Sequence, residues 1–307
     1  MPAAKCTDDE FRHAWHVQGG SPIAVARFLG MTERNVHTRR RAIEAKYRVE
    51  LISGRRDDKI PGRAHLDIPE GTVVVFSDAH WWTDEPTVAE AAMLKLCERL
   101  KPVAVIGNGD LFDGARISRH PPNDWEADKP SVGTELSVVK SHIGRIQKAA
   151  PHAIYRRTRG NHDSRFEMYL AKHAPEFGGV AGFKLSDHIP WPESWSIWIN
   201  DDVVIKHRYK GGIHATHNNA IWAGKTIVTG HLHSLKVTPF SDYTGTRYGV
   251  DTGTLADPMG PQFEYGEDNP KNHRSGFIVL TFRDGALLRP EVCEVIGERA
   301  CFRGEWV

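Results

Sequence analysis

Five short apolar runs in this chain each end in an acid, an amide or a histidine. That recurrence limits the fold more than any other feature. Val73-Val74-Val75-Phe76 runs into Asp78-Ala79-His80. Residues 103–106 lead into GNGDLFDG, which carries Asp110 and Asp113. Residues 153–155 lead through Thr158 to RGNHDSR, with Asn161, His162 and Arg165. Residues 203–206 end in His207, and residues 226–229 end in Gly230-His231-Leu232-His233. Runs of strand formers bounded by turn residues read as buried strands. In open α/β sheets, ligands gather outside the carboxyl ends of such strands. One acid there is an ordinary cap, and five such endings argue for a shared site.

The residue types fit one chemistry. A dinuclear metal site needs hard and borderline donors, a bridging carboxylate and open positions for water or phosphate. Asp110 is the natural bridge. Asn161 contributes a neutral oxygen, which limits the negative charge facing a phosphate. His162 remains free as a general acid. His207 is preferred to His214 and His217 because it ends a strand, whereas they follow Gly211-Gly212. His214, His217, Arg116 and Arg165 are candidate substrate contacts, with Arg119 and His120 close by. Trp81 and Trp82 are read as core or rim packing rather than stacking platforms.

The ordered set D-x-H, G-D-x-x-D, G-N-H-D, lone His and G-H-x-H resembles the calcineurin-like metallophosphoesterase superfamily over roughly residues 70–260. The resemblance implies that Asp78, His80 and His233 complete one metal and Asn161, His207 and His231 the other, and it implies a four-layer α/β/β/α sandwich. It also implies a metal-bound hydroxide attacking phosphorus while His162 assists, and Asp113 orienting that histidine or a neighbouring ligand. The ligand set is that of the Mre11/SbcD-type nucleases, which many small-molecule phosphodiesterases share. Two divalent ions are expected, manganese first, with iron, zinc or magnesium as alternatives.

The chain divides before this region. Residues 53–69 are rich in charge, Gly and Pro and read as a linker between a domain at 1–52 and a catalytic domain at 70–307. In the head, Thr7 or Asp8 caps a helix with Phe11, Ala14 and Trp15 on one face. Ser21-Pro22 opens a second helix with Ile23, Ala26, Phe28 and Leu29 as its apolar side. Thr32 caps a third, with Val36, Ile43 and Tyr47 inward. The pattern is similar to helix-turn-helix DNA-binding modules. That likeness implies Arg34, Asn35 and Thr38 at base edges and Arg39, Arg40 and Arg41 at phosphates. The head is basic, with 13 of the 40 Lys and Arg but 8 of the 39 Asp and Glu in residues 1–63. The bland alternative is a three-helix appendage for docking or oligomerisation.

The functional expectation is a DNA-directed phosphodiesterase, endo- or exonuclease, of the phage or mobile-element type. The alternatives are a phosphatase or phosphodiesterase of nucleotides or phosphoproteins, and a non-catalytic DNA-binding regulator. Homo-oligomerisation is compatible with the head. The four cysteines are scattered and form no C-x-x-C pair, which excludes a disulfide framework or thiolate zinc site. The sequence has no membrane-spanning run and no signal-peptide pattern, so a cytoplasmic location is expected.

Overall fold

The computed structural model describes residues 6–18, 22–47, 51, 60–119, 129–266 and 271–307. The chain forms two compact units, Met1–Ile60 and Pro61–Val307.

The first unit holds α1 (Asp8–Val17), α2 (Pro22–Phe28) and α3 (Glu33–Tyr47). Thr7 caps α1 in a reciprocal box: its Oγ1 accepts from Glu10 N (3.2 Å) and Glu10 Oε2 accepts from Thr7 N (2.6 Å). Thr32 Oγ1 accepts from Asn35 N (3.2 Å) and starts α3. Cys6, Phe11, Trp15, Val25, Ala26, Val36 and Ile43 form a small core. Two expected inward residues are not inward: Phe28 is 59% exposed and Tyr47 is 40% exposed. Two of the expected phosphate contacts are also corrected. Arg40 is buried, bonded to Glu44 (2.8 Å) and stacked on Trp15 (5.0 Å). Arg39 is held by Asp8 (3.0 Å) and the Cys6 carbonyl (2.6 Å). Both guanidiniums hold the unit together, while Arg34, Asn35, Thr38 and Arg41 are exposed. The Ser21 cap and residues 53–59 of the linker lie outside the described residues, as does His120.

The second unit contains β1 (Ala64–Leu66), β2 (Gly71–Phe76), α4 (Val88–Leu100), β3 (Ala104–Asn108), α5 (Val132–Ala149), β4 (Ile154–Thr158) and α6 (Arg165–His173). Then come β5 (Glu193–Ser194), β6 (Ile197–Ile199), β7 (Val203–Ile205), α7 (Ala215–Ala223), β8 (Thr226–Thr229), β9 (Lys236–Asp242) and β10 (Gly245–Asp251). The chain closes with β11 (Gly276–Arg283), β12 (Ala286–Leu287), β13 (Glu291–Ile296), β14 (Arg299–Phe302) and β15 (Glu305–Trp306). One sheet has six strands in the order β1-β6-β7-β8-β10-β9. The other has nine, β15-β14-β13-β11-β2-β3-β4-β5, with β12 paired to β11. Residues 64–66 are therefore sheet rather than linker, paired in parallel with β6.

The apolar run of β2 is continuous because both of its faces are buried. Val74 and Phe76 pack with Met93 and Leu96 of α4 and with Val139 and Ile143 of α5. Val73 and Val75 face the other way, against Ile197, Ile205 and Val228 of the six-stranded sheet. That sheet is covered on its far face by α7, which packs on β8, β9 and β10. The unit is thus a mixed α/β fold of four layers, α/β/β/α. Among the described residues no helix is long and apolar enough to cross a membrane.

Candidate metal centre

The carboxyl ends of β2, β3 and β4 in one sheet meet those of β7 and β8 in the other. Asp78, Asp110, Asn161, His207 and His231 follow these five ends. The loops are held in tight turns. Asp78, His80, Asp110, His231 and His233 all have positive φ, between 42° and 71°. Left-handed backbone at non-glycine residues costs on the order of 1–2 kcal/mol each, and such strain gathers at functional sites. It is sustained here by cross-loop bonds. Asp78 N donates to Gly109 O (3.0 Å), His80 N to Asp110 O (3.1 Å), and His162 N to Asp110 Oδ1 (2.7 Å). His231 N donates to Asp78 Oδ2 (2.8 Å). Two motif glycines are required by close approach: a Cβ on Gly160 would run into Asp110 Oδ1, and one on Gly230 into Ser77 Oγ and Asp78 Oδ2.

Three groups of side chains result: Asp78, His80 and His233; Asp110, His207 and His231; and His80, Asp113 and His162. In the first, His233 Nε2 is 3.0 Å and His80 Nε2 3.9 Å from Asp78 Oδ1. In the second, His207 Nε2 is 3.0 Å from Asp110 Oδ2 and 3.2 Å from Asn161 Oδ1. His207 Nε2 is also 4.0 Å from Asp78 Oδ1, which joins the two groups. The sequence-predicted ligands Asp78, His80, Asp110, Asn161, His207, His231 and His233 are all gathered in this centre.

The donor set fits divalent cations. His80 Nδ1 faces Asp113 Oδ1 at 3.0 Å, while its buried Nε2 has no hydrogen-bond partner. A histidine oriented through one nitrogen, with the other free, is the arrangement of a metal ligand. His207 Nδ1 is likewise engaged by Asn108 O (2.8 Å), and its Nε2 faces two oxygens. Ligand atoms ~2.1 Å from a common ion and at right angles lie about 3.0 Å apart, which matches His233 to Asp78 and His207 to Asp110.

Electrostatics point the same way. Burial would raise the Asp78 carboxyl, but His233 and His207 hold it down at about 2. Burial also opposes ionisation of Asp110, which His207 and His162 keep well below the usual carboxylate range. Asp113 is held low against burial by His162 and His80. Burial disfavours the His207 cation, yet Asp110 and Asp78 push its pKa up to about 10. His231 is lowered to about 4, by desolvation and then by His207, so its imidazole is neutral at pH 7. The carboxylates stay ionised despite burial, and bound cations would take the place of the proton that they hold on His207.

His162 sits at the mouth. Its Nδ1 is 2.5 Å from Asp113 Oδ1, and its ring meets His80 edge-on at 4.6 Å. Burial lowers its pKa, but Asp110 and Asp113 outweigh that and the net shift is upward. Arg165 Nη2 lies 3.2 Å from His162 Nε2, and Arg165 Nη1 donates to Asp113 O (2.8 Å). Asp113 therefore orients both His162 and His80. The other candidate contacts stand apart. Arg116 is exposed and bonded to Lys129 O (2.7 Å). His214 and His217 are exposed on the first turn of α7 and belong to none of the ligand groups.

Sequence reasoning missed several supports. Asp163, fully buried, accepts from the backbone N–H of Asp110 (3.0 Å), Leu111 (3.2 Å), Phe112 (3.2 Å) and Gly160 (2.9 Å). Trp82 Nε1 donates to Asp113 Oδ2 (2.9 Å), and Glu135 accepts from Asp113 N (2.5 Å). Behind the first loop, Trp81 Nε1 donates to Glu90 Oε2 (3.0 Å), and Glu90 Oε1 meets His142 Nδ1 (2.6 Å). Glu90 had a sequence signal: it shares the apolar face of α4 with Met93 and Cys97, an odd place for an acid.

No family model matches the sequence, and no curated protein sequence does either. Among solved structures the chain is similar to YfcE, a phosphoesterase from E. coli, at 13% identity over 71% of this chain and 97% of that one, with a TM-score of 0.35. It is also similar to a dimetal phosphatase from Danio rerio, at 8% identity over 78% of this chain and 98% of that one, with a TM-score of 0.39. At such distance the geometry of the site itself carries the weight.

Proposed function

We propose that the chain is a dinuclear-metal phosphoester hydrolase. The observation that carries this is the convergence of two lone-pair-rich groups, linked through Asp78 and Asp110, beside a histidine held by a carboxylate. Asp78, His80 and His233 would hold one ion, and Asn161, His207 and His231 the other, with Asp110 shared. When bound, such ions supply Lewis acidity to a phosphoryl oxygen and lower the pKa of water. His162 then has a defined role. Asp113 engages Nδ1 and favours the cation, so Nε2 is the atom that delivers a proton to the leaving oxygen. Arg165, already beside Nε2, places a guanidinium where phosphate oxygens would arrive.

The test uses metal-stripped protein, given Mn²⁺, Mg²⁺, Zn²⁺ or no metal, on bis(p-nitrophenyl) phosphate, with Asp110→Asn and His162→Ala alongside. Hydrolysis that needs metal and is lost in both variants is expected. No hydrolysis with any metal would sink the proposal. A DNA-directed nuclease is a second reading, favoured by the exposed Arg34, Asn35, Thr38 and Arg41 on α3. It requires metal-dependent nicking of supercoiled plasmid that disappears when residues 1–60 are removed while diester hydrolysis persists. Intact plasmid under all metals leaves phosphatase or small-molecule phosphodiesterase chemistry.

A further inference from the structure

Beside the second ligand group lies a cleft of about 630 Å³, with His207 and His231 in its wall. Much of the remaining wall is cationic: Arg159, Lys206, Arg208 and Lys210. Arg159 is already paired with Glu167 and Glu193. The other three have no carboxylate partner among the described residues. Lys206 Nζ stands 5.2 Å from the Tyr209 ring, and Lys210 Nζ stands 3.9 Å from that of Trp222. Three cations at alternate positions, without a carboxylate partner among the described residues, thus lie on either side of His207 in the chain. A single phosphoryl group at the metal centre would leave them unused.

The cleft also presents two aromatic faces. Trp195 is 48% exposed and Tyr209 is 43% exposed, and both line it. Trp195 lies between β5 and β6, and its backbone N–H donates to Pro61 O (2.9 Å). Exposed aromatic rings beside Lys and Arg form the stacking and phosphate-binding surface used for nucleobases and their phosphates. The volume falls within the range of roughly 300–1,000 Å³ typical of small-ligand sites.

We infer that this cleft binds a nucleotide carrying two or more phosphates. Its base lies on Trp195 or Tyr209, its phosphate chain on Lys206, Arg208 and Lys210, and one phosphoryl group at the metal centre. Cleavage rests on the phosphoesterase reading; binding does not. In the cleavage step the oxygen of water bonds to phosphorus and the bond from phosphorus to the bridging oxygen breaks. The departing phosphate takes the proton from His162, which regains one from the attacking water.

The experiment measures both binding and turnover in the metal-loaded full chain. ATP binding is read by tryptophan fluorescence and calorimetry in wild type, in the Arg208→Ala/Lys210→Ala double variant and in Trp195→Ala. The double variant is expected to raise the Kd for ATP at least tenfold, with a smaller loss for AMP. Trp195→Ala is expected to weaken ATP several-fold while leaving inorganic tripolyphosphate less affected. In turnover, kcat/KM for ATP should fall at least tenfold more than kcat/KM for bis(p-nitrophenyl) phosphate in the double variant. Equal losses for ATP and AMP, or no loss of ATP binding, would overturn the inference. So would a short single-stranded oligonucleotide that displaces ATP at concentrations well below the Kd of ATP. ATP binding that responds as expected without hydrolysis of either substrate would support the cleft and reject the hydrolase reading.

Discussion

Replacing Asp163 by Asn tests how the centre is held. The Asp163 carboxylate is fully buried and accepts four backbone N–H groups. Oδ1 takes Leu111 and Phe112 at 3.2 Å each; Oδ2 takes Asp110 at 3.0 Å and Gly160 at 2.9 Å. It thereby ties the loop after β4 to the loop after β3. Asn keeps the shape but offers one oxygen, so two of the N–H groups must face an amide nitrogen. A hydrogen bond to a charged group contributes about 1.5–3 kcal/mol, which puts the loss of two at about 3–6 kcal/mol. Asp163 itself faces backbone, not the ligand groups. The variant should therefore lose stability in urea unfolding of the metal-free chain, before any metal is added. Its metal affinity should fall as well, because Asp110 and Asn161 lose their common anchor. A variant within about 1 kcal/mol of wild type would refute the reasoning. A variant that loses metal but no stability would make Asp163 a ligand rather than a brace.

Other outcomes follow from the same structure. Gly160→Ala drives a Cβ into Asp110 Oδ1, so metal-dependent hydrolysis should fall by two orders of magnitude or more; steady-state rates near wild type would show the contact to be soft. Glu90→Gln weakens the buried bonds to His142 and Trp81 behind the first loop and should cost about 3 kcal/mol in urea unfolding; an unchanged midpoint would contradict that. Burial raises the Asp251 carboxyl to about 7, and the nearby Asp78 adds to the shift. Its stabilising contribution is thus fully present below about pH 4 and is lost as pH rises through 7. In metal-free protein, Asp251→Asn should gain on wild type between pH 4 and pH 8, by up to about 4 kcal/mol; a difference independent of pH would refute the assignment.

The candidate site was legible in the sequence because its candidate ligands follow strands with clear patterns. β2 and β8 are buried on both faces and read as unbroken apolar runs. Other elements left weaker marks. β1 and β6 have three residues each, too few to show a period. β9 is an edge strand with Pro239 and mostly exposed positions, so it carries no apolar alternation. On α3, Arg39 and Arg40 read as surface charge because nothing local reveals Asp8 or Trp15, which meet them only in the folded unit. The braces of the centre were hidden for the same reason. Glu135 and Trp82 act on Asp113 across loops, and such contacts have no spacing to read.

The central claim is a centre for two cations, and metal content tests it most directly. Metal-stripped protein would be reconstituted with excess Mn²⁺ or Zn²⁺, freed of loose ion and assayed for metal per chain, beside Asp110→Asn and His80→Ala. Two equivalents in wild type are predicted, with one or fewer in each variant. A wild-type chain that retains no metal, or variants that retain as much as wild type, would contradict the account.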